Sequence, residues 1–117
     1  MTLLAKVSEE THGDVVIAVV EGEIDASNTV GLRNRLRSAL TNRATALVVD
    51  LAAVRYLDSA GINLLFEVAA DLGERQQQLH MVVPPTSPIL RAIAITGLDR
   101  TVPTHADRAA ALAAAAR

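Results

Sequence analysis

The 117-residue sequence contains no cysteine and no tryptophan, one tyrosine, one phenylalanine and four prolines. Without cysteine there is no disulfide framework, no Cys-ligated zinc or iron–sulfur site and no thiolate nucleophile. Tyr56 and Phe66 alone make no base-stacking platform. The net charge of -2 lacks the basic excess of a polyanion binder, so direct nucleic-acid binding is not expected. Long apolar runs are also missing. Val15 to Val20 and Ala109 to Ala116 fall far short of the roughly 20 residues that span a bilayer, so no membrane insertion is expected. The start, MTLLAKVSEE, has no sustained apolar stretch and does not read as a secretory signal, so the mature chain is expected to begin near Met1.

What remains fits one compact domain over residues 1–117, which buries roughly 65% of its unfolded surface and needs no staple. Leu3 to Val7, a turn at Thr11–Asp14 and the β-branched run Val15–Val20 read as a hairpin whose second strand is buried on both faces. From Ser27 the apolar period becomes helical, with Leu32, Leu36, Ala39 and Leu40 on one side and Ser27 or Asn28 as cap. Arg33, Arg35 and Arg37 spread around this helix and read as solvated charge. Ala46–Leu51 is a second buried strand, so the two strands and the helix form a right-handed βαβ unit with a parallel pair.

Asp58-Ser59-Ala60-Gly61 opens another helix, with Ile62, Leu65, Phe66, Ala69 and Leu72 as its core face and Gly73 at its end. Gln77–Val83 reads as a strand stopped by Pro84-Pro85. Ile89–Thr96 reads as a short helix with Gly97 as its C′ residue, Arg100–Pro103 as an edge strand and Asp107–Ala116 as a terminal helix. The class is α/β with a mixed sheet of four to five strands and about four helices.

Catalytic patterns are absent. His12, His80 and His105 have no metal-ligand spacing. There is no phosphate-binding glycine loop, and the serine at the Asp58-Ser59 turn lacks the GxSxG pattern of a nucleophile elbow. No cofactor and no metal are expected. One constellation stands out: Gly22-Glu23-Ile24-Asp25 and Tyr56–Gly61 follow adjacent parallel strands, so both loops belong to the carboxyl edge of the sheet, where open α/β domains place their sites. A serine in a helix's first turn accepts a phosphoryl group at low cost, because free N–H groups and the macrodipole favour an anion there. The alternative is that Asp58 or Ser59 only caps and Asp25 only turns the chain.

Three segments, EGEIDASNTVGLRNRL, LVVDLAAVRYLDSAGINLL and ILRAIAITGLDRTV, occur in an order and spacing that resembles the STAS domain family, and within it the single-domain anti-sigma factor antagonists of bacterial partner switching. The resemblance implies a cytoplasmic, non-catalytic regulator. Its partner would be an anti-sigma factor with serine kinase activity, bound by the unphosphorylated form and released on phosphorylation, with a serine phosphatase reversing the switch. Ser59 matches the phosphorylated serine, Asp58 the acid before it and Asp25 the aspartate of the neighbouring loop. Ala60 stands where many relatives carry a second serine, and Val102 where phenylalanine is common. Other members of the family are scaffolds, transporter subunits or ligand-binding modules.

Steps of about 100° per residue put Leu64 among Glu67 and Asp71, away from the expected core face, with Val68 flanking. Leu64 and Val68 are therefore expected to form the apolar centre of the kinase-binding patch, with Ala60 and Gly61 beside Ser59 and with Asn63, Glu67 and Asp71 at the rim.

Overall fold

The computed structural model describes residues 5–116, so Leu3 and Leu4 of the first expected strand lie outside the described residues. Strand β1 (Ala5–His12) pairs antiparallel with β2 (Val15–Ile24) from Ala5↔Gly22 to His12↔Val15. The turn is shorter than the sequence suggests. Gly13 takes φ +62 in the first central position, as two-residue hairpin loops favour.

Helix α1 (Thr29–Ala39) leads to β3 (Ala46–Leu57), which runs parallel to β2. Helix α2 (Ser59–Glu74) leads to β4 (Gln78–Val82), parallel to β3. After α3 (Leu90–Thr96) and α4 (Leu98–Thr101), β5 (Thr104–His105) adds parallel to β4, and α5 (Arg108–Ala115) ends the described chain. The strands lie in the order β1-β2-β3-β4-β5, forming the expected mixed sheet. Among the described residues five helices flank it, where about four were expected. No helix among the described residues is long and apolar enough to cross a membrane.

Alternation within the continuous apolar runs decides which helices cover which face. Val16, Ala18, Val20, Leu47, Val49 and Leu51 share a core with α1, α2, α3 and α4. Val15, Ile17, Ala46 and Val48 share a second, smaller one with Ala111 and Ala115 of α5. Both faces are thus dry along Val15–Val20 and Ala46–Leu51, which is why these runs show no polar alternation.

Three expectations require correction. Arg100–Pro103 is not a strand, because Leu98 and Val102 are both buried at an i, i+4 spacing and draw 98–101 into a helical turn. Gly97, at φ +77, breaks the chain between α3 and α4. Strand β3 runs to Leu57, six positions beyond the expected end, because Val54 and Leu57 continue its buried face.

The third correction bears on function. Leu64 and Val68 are fully buried, so neither belongs to a surface patch. Helix α2 packs on the sheet and also against α1 and α4, and this three-sided contact buries the wide arc of Gly61, Ile62, Leu64, Leu65, Val68 and Leu72. Phe66 and Ala69, expected at its centre, sit half-buried at the margin.

Candidate functional site

Strands β2 and β3 stay paired to their last residues, Glu23↔Tyr56 and Ile24↔Leu57, and the Asp58 amide donates to the Ile24 carbonyl at 3.3 Å. The two loops singled out in the sequence therefore leave the sheet side by side at its carboxyl edge.

In the first loop, Asp25 Oδ1 accepts from the Ser27 amide at 2.8 Å and from Ser27 Oγ at 2.5 Å. The Asp25 amide donates to Asn28 Oδ1 at 3.1 Å, and Asn28 Nδ2 donates to the Glu23 carbonyl at 2.8 Å. This is an Asx-type turn clamped by Asn28, and it holds the half-buried Asp25 in one place. Ser27, read in the sequence only as a cap, orients Asp25 instead. Asn28 precedes α1 with φ -123, and its side chain makes no capping bond.

In the second loop, Asp58 is the N-cap of α2, its Oδ1 accepting from the Gly61 amide at 3.0 Å. Ser59 is the first helical residue and is exposed; Ala60 is half-buried and Gly61 buried. A Cβ on Gly61 would stand 2.9 Å from Ile24 Cγ2 and closer still to Leu57 Cδ1. The missing side chain lets the start of α2 press against both strand ends, so Ser59 opens the helix at the same sheet edge from which the Asp25 loop leaves. The first-turn amides of Ser59 and Ala60 have no intrahelical acceptor and are available to an anion.

Asn63 and Glu67 lie exposed on α2. Glu67 accepts from Arg33 Nη2 at 2.8 Å, and Asp71 is paired with Arg37. Two of the three arginines read as solvated charge thus bridge α1 to α2. With Leu64 and Val68 in the core, the exposed apolar side chains at this edge are Tyr56, three residues before Ser59, and Val30, in the first turn of α1. Neither shows a periodicity that would have marked it in the sequence.

The fold also joins two residues that spacing leaves apart. The buried His80 on β4 and His105 on β5 stack at 5.2 Å, with Nδ1 of the first 3.0 Å from Nε2 of the second. Gln78 Oε1, 2.9 Å away, accepts from His80 Nε2–H, which leaves His80 Nδ1 as acceptor for His105. Burial, and secondarily the charge of His105, push the His80 pKa below its ordinary value. Among the described residues no three His, Asp or Glu side chains gather as metal ligands, and His12 stands at the hairpin beside Glu10.

A family model described as the STAS domain matches residues 6–111. The anti-sigma-F factor antagonist RsfB of Mycobacterium tuberculosis is 33% identical over 90 residues, which cover 77% of this chain and 72% of that protein. The anti-sigma-B factor antagonist of Listeria monocytogenes is 29% identical over 94 residues, 80% of this chain and 79% of that one. The crystal structure of an anti-sigma factor antagonist from Mycobacterium paratuberculosis superimposes with a TM-score of 0.85 at 30% identity, covering 97% and 95% of the two chains.

Proposed function

The chain belongs to the STAS domain family, and from that premise we propose that it is a non-enzymatic anti-sigma factor antagonist switched by phosphorylation of Ser59. The unphosphorylated protein binds an anti-sigma factor that is also a serine kinase, and so releases a sigma factor in the cytoplasm. The kinase then transfers the γ-phosphoryl group of ATP to Ser59 Oγ, leaving ADP and a proton, and a serine phosphatase restores the hydroxyl. The similarity to proteins named as antagonists of anti-sigma factors supports the role.

One observation supports the switch above others: an exposed serine opens α2 at the sheet edge from which the hydrogen-bonded Asp25 loop also leaves. A phosphoryl group there would be stabilised within this protein by the Ser59 and Ala60 amides and the helix dipole. It would also add roughly -1.5 to -2 charges next to Asp58, Asp25 and Glu23, turning an acidic edge strongly anionic toward a partner. Folding is left intact while the contact surface changes. Asn63 and Glu67 continue this surface along α2, and Ala60 and Gly61 set its shape beside Ser59; Leu64 and Val68 contribute only from beneath.

The test is capture from the native host's extract with wild type, Ser59→Ala and Ser59→Asp as baits and mass spectrometry as readout. A kinase-like ATPase is expected on wild type and Ser59→Ala and is lost from Ser59→Asp, and incubation with that ATPase and ATP adds phosphate at Ser59 only. Equal capture by all three baits overturns the switch and leaves a scaffold.

A further inference from the structure

Between the outer edge of β1 and helix α1 lies a groove of about 560 Å³ that the proposed switch does not use. Its apolar lining comes from Ala5, Val7 and Leu32. Lys6, Ser27, Asn28 and Arg35 supply the polar groups, and Gly31 forms part of the α1 wall. The size falls within the range of about 300–1,000 Å³ typical of small-molecule sites.

Two features point to the occupant. Gly31 lies inside a helix, where glycine costs up to about 1 kcal/mol relative to alanine. Neither packing nor a positive φ requires it, because a Cβ there would meet no atom within 4 Å. Gly31 is exposed and lines the groove, so a large side chain there would narrow it. Arg35 is the second feature. Its Nη2 reaches the Val7 carbonyl at 3.2 Å and Glu9 Oε2 at a long 3.4 Å, while its side chain remains about half exposed. A guanidinium carries five N–H donors in a fork suited to a carboxylate, so a ligand carboxylate can replace the loose Glu9 contact.

We propose that this groove binds a small carboxylic acid with an apolar body, its carboxylate on Arg35 and its tail over Val7, Gly31 and Leu32. Ser27 and Asn28, which wall the groove, are also the residues that hold Asp25. Occupancy is therefore felt in the Asp25 loop. The binding itself does not rest on Ser59 being phosphorylated.

The test is titration of the 15N-labelled full chain with octanoate, followed by amide chemical shifts. Saturable shifts at Ser27, Asn28, Gly31 and Leu32, with a Kd at or below about 1 mM, are expected. Gly31→Leu, which favours the helix and so keeps the fold, abolishes them. Arg35→Gln weakens octanoate at least fivefold and leaves 1-octanol unchanged. The absence of saturable shifts overturns the proposal, as does binding that survives Gly31→Leu or is indifferent to Arg35→Gln. Binding that appears only after Leu3→Ser and Leu4→Ser would mean that the chain's own start fills the groove, and overturns it equally.

Discussion

Asp25 and Asp58 stand at equivalent places after neighbouring parallel strands, yet their carboxylates act differently. Asp58 satisfies an orphan amide of α2, the ordinary duty of a cap, whereas Asp25 turns its chain onto Ser27 and is gripped by Asn28. Both hold the flanks of Ser59 in register. Leu64, on the same helix as Ser59, belongs wholly to the core. Truncating it to alanine removes buried methyl groups and leaves a cavity, so Leu64→Ala should lower stability by about 2–5 kcal/mol in denaturant unfolding. Asn63→Ala, one residue away and exposed, should stay within about 0.5 kcal/mol of wild type in the same measurement. A stable Leu64→Ala protein with weakened partner binding would restore the surface role that its burial denies.

At the scale of elements, α5 is the only helix among the described residues that covers the second face of the sheet, and its composition gives it little to hold with. Ala111 and Ala115 are buried, but alanine contributes small apolar area. Asp107 caps it through the Ala110 amide at 2.8 Å. Arg108 supplies the anchor, with Nε 2.5 Å from Asp50 Oδ2 and Nη1 3.0 Å from Glu10 Oε2. Asp50 is nearly inaccessible, and among the described residues it accepts, besides Arg108, only from the Ala52 amide. Arg108→Met should therefore destabilise the protein by about 1–3 kcal/mol, because it leaves a buried carboxylate underpaired. Adding Asp50→Asn should recover part of that loss in a double-mutant cycle, and a purely additive result would remove the pairing from the account. The Arg33–Glu67 and Arg37–Asp71 pairs between α1 and α2 are more exposed, and each is worth at most about 1 kcal/mol, decreasing with salt.

At the scale of the whole molecule, the His80–His105 contact joins the last strand to the sheet and makes stability depend on pH. His80 is harder to protonate in the folded chain than in the unfolded one, whose ordinary value is near 6.5. The unfolded state thus binds more protons below that value, and stability rises with pH. The contribution is present above about pH 6.5 and is lost as pH falls from there toward the lower folded value. The melting temperature should therefore drop between pH 7 and pH 5, and His80→Gln should flatten that drop. Hydrogen exchange should register it first at Thr104 and His105, whose strand is only two residues long. An unchanged pH profile in His80→Gln would place the acid sensitivity elsewhere.

The order of elements as far as α3, the parallel βαβ core, a cap at Asp58 or Ser59, the Gly97 break and the convergence of the Asp25 and Ser59 loops were legible in the sequence, whereas the α4 turn and the place of β5 were not. Each legible feature depends on local chemistry or on a period read within one segment: β-branched runs for doubly covered strands, a cap before an apolar helix, a left-handed glycine after one. Tertiary structure decided which face of α2 is buried, the partners of Arg33 and Arg37, the meeting of His80 with His105 and the groove beside Gly31. A hydrophobic period shows which side chains avoid water but not how many neighbours a helix has. Wedged among the sheet, α1 and α4, α2 buries an arc wider than one face, and it takes Leu64 and Val68 inside. The ion pairs and the histidine pair join residues 34 and 25 positions apart, contacts that exist only once the sheet has brought the elements together.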